Sequence, residues 1–83
     1  MAIAHATLAS SQPGRYRCEQ IVAAGENAIR LKRLGICEGR EIEVLGDRDP
    51  MVIKIGAARV GLSRQLAALV TVEPVFPASA LGS

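Results

Sequence analysis

The chain has 83 residues, a length that fits one domain with a modest buried fraction. Hydrophobic residues make up 49% but aromatics only 2%, so the core must be aliphatic and no aromatic platform exists for stacking bases or sugars. Ten Lys and Arg against eight Asp and Glu leave a formal charge of +2, too mild for the one-signed face of a typical nucleic-acid binder.

The opening "MAIAHATLASSQPG" lacks a basic n-region and a continuous apolar stretch, so it does not read as a signal peptide. No apolar run approaches the roughly 18 residues that span a bilayer, which predicts a cytosolic protein with no direct membrane insertion. Residues 1–7 are expected to form a flexible tail, with Leu8 the first core contact, and "QPG" at 12–14 is a turn signal. A strand is predicted over about 15–23, with Tyr16 and Cys18 on one side and Ile21 out of phase, the mark of a bulge.

"ENAIRLKRL", residues 26–34, suits a helix whose Ala28, Leu31 and Leu34 share about a third of the circumference and form the buried stripe. Glu26 stands four before Arg30, the favourable order for an exposed pair, and near the positive end of the helix dipole. Gly35 is the expected left-handed stop, with Ile36 closing over the last turn. Arg30, Lys32 and Arg33 point away from the stripe, where a solvated face is sufficient explanation. Ile29 lies among these charges. Either a neighbouring loop covers it, the ordinary expectation, or it centres a contact surface with a basic rim.

Glu38-Gly39 makes a turn, and residues 40–45 alternate Glu41 and Glu43 outward with Ile42 and Val44 inward, a half-buried strand. "GDRDP" is turn chemistry. "MVIKIG" places Met51, Ile53 and Ile55 on one side of the next strand, and "RVGL" pairs back as its hairpin partner. Ser63 caps a brief helix, "RQLAAL", whose Leu66 and Ala67 reach the core together with Val70, and "LVTVEP" is the last strand. Residues 75–83 are expected to be a flexible tail. The prediction is a mainly β fold: five short strands closed into a small barrel, with one helix after the first strand and a short one before the last.

"RLKRLGICEG" leading to "REIEVL", then "MVIKIG" and "RVGLSRQLAALVTVEP", resembles the FeoA family of small cytosolic proteins associated with bacterial ferrous iron uptake. The signature residues are Arg30, Leu31, Leu34, Gly35, Ile36 and Gly39, then Ala67, Val70 and Val72, and the resemblance covers about residues 8–74. It implies an SH3-like β-barrel with a helical insertion and an accessory role beside FeoB, the permease with a cytosolic GTP-binding domain. The same domain ends some iron- and manganese-dependent repressors. The alternative reading is therefore a metal-responsive regulatory module that binds a transition metal ion.

Catalysis finds little support. His5 is the single histidine, in the expected tail, so no Ser-His or Cys-His pair is persuasive. No GxxxxGK[ST] loop is present, so the chain is not expected to bind GTP. Cys18 and Cys37, nineteen positions apart, match no CxxC pair. Cys18 reads as a small core hydrophobe and Cys37 as an exposed thiol, while Asp47 and Asp49 are explained by side-chain bonds to backbone in the turn. No metal site and no cofactor are expected. Nucleic acid is also not expected: Glu38, Glu41 and Glu43 dilute any field from Arg30, Lys32, Arg33, Arg40, Arg59 and Arg64. The remaining function is protein–protein contact, with FeoB or with a second copy, through Ile29, Arg30, Lys32 and Arg33 and with Arg59 and Arg64 as outer candidates.

Overall fold

The computed structural model describes residues 6–75. In chain order the elements are β1 (Ala6–Thr7), a 3₁₀ turn (Leu8–Ser10), β2 (Gly14–Ile21), α1 (Glu26–Arg33), β3 (Glu41–Gly46), β4 (Met51–Ile55), β5 (Ala58–Leu62), α2 (Arg64–Ala67) and β6 (Val70–Pro74). All six strands join one antiparallel sheet in the order β1-β6-β2-β3-β4-β5. The strand count is thus six, not the expected five. The additional strand comes from Ala6 and Thr7, which pair with Val72 and Thr71 instead of fraying in a tail. At the other end Val75 still donates its N–H to the Arg15 carbonyl at 3.0 Å. The rest of both expected tails, with His5, lies outside the described residues.

Aliphatic alternation builds the interior as the sequence dictates. Ile42 and Val44 from β3, Met51, Ile53 and Ile55 from β4, Leu62 from β5 and Val70 and Val72 from β6 are all buried, joined by Leu8, Cys18, Leu31, Ile36 and Ala67. The phase break at Ile21 is a bulge: the β2–β6 register shifts between Cys18 and Gln20, which restores Ile21 to the core side.

The sheet curls around this core, and its two end strands, β1 and β5, are not hydrogen-bonded to each other. The 3₁₀ turn after β1 packs against α2 after β5 and spans the gap. Arg64 ties this seam. One guanidinium nitrogen donates to the Ala9 carbonyl at 2.6 Å, the other donates to the Asp47 carbonyl, and its backbone N–H donates to Asp49 Oδ1 at 3.1 Å. Ser63 caps α2 as expected, its hydroxyl oxygen accepting from the Leu66 N–H at 3.2 Å.

The arrest of α1 is local chemistry. Gly35 adopts φ +92°. The Ile36 N–H donates to the Leu31 carbonyl at 3.0 Å and the Gly35 N–H to that of Lys32 at 2.9 Å, the bond pair of a Schellman motif. Ile36 is thereby drawn into the core.

Candidate functional site

Helix α1 lies on the barrel by its Leu31 edge, with Ala28 and Leu34 half-buried beside it. Its outer crest carries Glu26, Ile29, Arg30 and Arg33, which together line a shallow hollow of about 270 Å³. Ile29 is 52% exposed, so no loop covers it and the covering-loop expectation is overturned. The preceding loop, 22–25, is held towards α2 at its start, Val22 donating its N–H to the Leu69 carbonyl at 2.7 Å. Nor is Glu26 within ion-pair distance of Arg30. Among the described residues none of Arg30, Lys32 and Arg33 is paired with a carboxylate. Cations in the last turn favour the helix through its dipole, and that interaction leaves their N–H donors available.

The six residues expected to form the contact surface do not all meet. Ile29, Arg30 and Arg33 share the crest. Lys32 turns to the other flank, where it lines a hollow of about 510 Å³ with Ile21, Ala23, Ala28, Cys37 and Glu38. Arg59 lies on the outer face of the sheet, opposite Lys54 in the β4–β5 register. Arg64 lies in the seam between α2, the 3₁₀ turn and the β3–β4 turn, where its guanidinium is bonded to two backbone carbonyls, away from the α1 crest.

That outer sheet face alternates charge. Arg17 sits between Glu73 and Glu41, and Arg15 faces Glu43, which in turn faces Lys54. The Arg17–Glu73 pair closes to 3.6 Å with both side chains about half exposed, so it contributes little stability. The alternation denies the sheet a single-signed field.

Between the two helices is a third, polar hollow of about 290 Å³, lined by Asn27 and Arg30 from α1 and by Ser63, Gln65, Leu66 and Leu69. Sequence reasoning missed it, because residues 27–30 and 63–69 meet only through the fold.

Among the described residues the cysteines and the turn aspartates form no ligand set. Cys18 is 1% exposed, and burial, with smaller contributions from Cys37, Glu38 and Glu19, pushes its thiol up to about 11. Cys37 is exposed on the turn that follows α1. Asp49 is occupied by the first backbone N–H of α2. Among the described residues no three His, Cys, Asp or Glu side chains are grouped to hold an ion. Also among them, no helix is long and apolar enough to cross a membrane.

Six antiparallel strands curled on an aliphatic core, with a helical insertion after the second, define a small SH3-like β domain. The FeoA domain matches residues 7–74, and the chain belongs to the FeoA family. Comparison with curated protein sequences gave no match. The fold is similar to the crystal structure of an iron uptake regulatory protein (FeoA), with a TM-score of 0.80 and 24% identity over 88% of this chain and 100% of that one. It is similar at the same TM-score to iron(II) transport protein A from Clostridium thermocellum, at 32% identity over 84% of this chain and 46% of that chain. Stenotrophomonas maltophilia FeoA, a prokaryotic SH3 domain protein complexed with zinc, superposes with a TM-score of 0.71 and 22% identity over 82% of this chain and 89% of that one. The fold also recurs in the manganese regulator SloR, with a TM-score of 0.75, where it covers 34% of that chain.

Proposed function

We propose that this protein is a cytosolic accessory of bacterial ferrous iron uptake that works by docking on the FeoB permease, not by catalysis. Family membership supports the link to iron uptake. The observation that carries the docking reading is Ile29, a large aliphatic side chain 52% exposed beside the guanidinium groups of Arg30 and Arg33, which pair with no carboxylate among the described residues. An apolar centre with a basic rim is the anatomy of a small contact surface: the aliphatic group supplies desolvation and the charges supply register and encounter rate. Lys32 extends the rim along the opposite flank of α1, while Arg59 stands apart on the sheet.

The test is ferrous iron uptake in cells carrying Ile29→Glu. The substitution is at an exposed helical site, so folding is retained while uptake falls toward the level of cells lacking the protein. Undiminished uptake with a correctly folded variant places the contact elsewhere. The competing reading, a metal-responsive regulatory module, draws on the manganese regulator and on the zinc-complexed FeoA among the similar structures. Calorimetric titration with Fe²⁺ or Mn²⁺ separates the two: a stoichiometric heat favours regulation by metal, and its absence favours docking.

A further inference from the structure

The hollow between α1 and α2 has an unusual lining. Its charged member is the Arg30 guanidinium, which has five N–H donors and no acceptor. Asn27 and Gln65 contribute carboxamides, each with two further donors. Ser63 already accepts from the Leu66 N–H through its oxygen, so its own hydroxyl hydrogen is free to be donated. The lining contains no carboxylate, and the side chains of Asn27, Arg30 and Gln65 are bonded to no other group of the described chain. Beneath them lie Leu66 and Leu69, half-buried and packed on the core, as an apolar bed. Four donor-bearing side chains, one of them cationic, thus line one hollow together with two leucines.

We propose that this hollow is a carboxylate-reading site, which seats an Asp or Glu side chain of an acidic partner segment on Arg30 while a neighbouring aliphatic side chain of the same segment covers Leu66 and Leu69. The choice of occupant rests on charge complementarity. Arg30 serves both this hollow and the crest, so a segment lying across α1 would meet Arg30 and Arg33 with one opposing carboxylate, Glu26. A planar guanidinium flanked by carboxamides matches a carboxylate by two parallel charge-assisted bonds, whereas a neutral carbonyl offers a single weaker acceptor and a basic segment is repelled. The inference deepens the docking reading above and rests on it for the partner's identity, but the site is testable on this protein alone.

The probe is a synthetic 12-residue amphipathic peptide with leucines at helical spacing and glutamates on the polar face. Its controls are the same peptide with every Glu replaced by Gln, and with every Glu replaced by Lys. Titration into the isotope-labelled protein, followed by nuclear magnetic resonance, is expected to move the side-chain amide signals of Asn27 and Gln65 with the Glu peptide. Affinity should fall at least tenfold for the Gln peptide, fall further for the Lys peptide, and weaken as salt is raised. Arg30→Gln, an exposed substitution, should remove the preference for Glu over Gln, and Arg15→Gln, opposite Glu43 on the outer face of the sheet, should leave it intact. Equal binding of the three peptides, signals that move elsewhere on the surface, or a preference that survives Arg30→Gln overturns the proposal. Failure of FeoB capture alone bears on the docking reading, because the peptide preference is measured without FeoB.

Discussion

Replacing Arg64 with Met isolates what this residue does in the seam. Methionine keeps the unbranched stem and the helix propensity of α2. It also leaves the Arg64 backbone N–H bonded to Asp49, so the change removes only the guanidinium bonds to the carbonyls of Ala9 and Asp47. A charged donor to a neutral carbonyl is worth roughly 1.5–3 kcal/mol in a protected setting, but this side chain is exposed. Solvent screening lowers each bond to about 1 kcal/mol, which gives a loss of about 2 kcal/mol for the pair. In a domain of this size each kcal/mol moves the midpoint by roughly 4–8 °C, so the melting temperature is expected to fall by about 10 °C. Arg64→Lys, whose single nitrogen cannot take the places of the two guanidinium nitrogens that reach the Asp47 and Ala9 carbonyls, should lose about half as much. Circular dichroism melts of the three proteins measure both differences. A shift of less than about 2 °C for Arg64→Met would refute the assignment of this residue to closure.

Gly35 and the two cysteines give three further predictions. Gly35→Ala places a side chain at φ +92°, where the added Cβ would meet Ile55 Cγ2 at an ordinary 3.6 Å. Conformation and not space therefore sets the cost, about 1–2 kcal/mol by denaturant unfolding, whereas Gly61→Ala, with nothing within 4 Å and no positive φ, should be close to neutral. Alkylation at pH 8 should modify Cys37 and spare Cys18 until the chain unfolds, since the Cys18 thiol is both buried and pushed up to about 11. Between pH 9 and about 11 the unfolded chain releases this proton while the folded chain holds it, so stability falls as pH rises through that window; the fall should be shallower in Cys18→Ala.

What could be read from the sequence was what neighbouring residues decide among themselves. The halt of α1 at Gly35, the inward turn of Ile36 and the bulge before Ile21 all follow from patterns a few residues long, and the structure contains each of them. Cys18 took its core place from strand alternation alone. The pairing of Ala6 and Thr7 with β6 was illegible, because two residues carry no periodicity and their partners lie more than sixty positions on. Arg64 looked like any surface cation of a short helix. Its bonds span 17 and 55 positions, and only the folded chain brings those carbonyls within reach. The exposure of Ile29 was half legible: its place on the helix set it opposite the core, but whether a loop returns over it is a tertiary matter. The α1–α2 hollow was invisible for the same reason.

The proposed function requires one contact, between the α1 crest and the permease. Calorimetric titration of the isolated cytosolic GTP-binding domain of FeoB into this protein, with and without nucleotide, tests it most directly. The expected result is a saturable heat that weakens with salt, falls at least tenfold for Ile29→Glu, and is unchanged for Arg59→Gln on the far face of the sheet. Binding that ignores Ile29→Glu, or no binding in any nucleotide state, would contradict it.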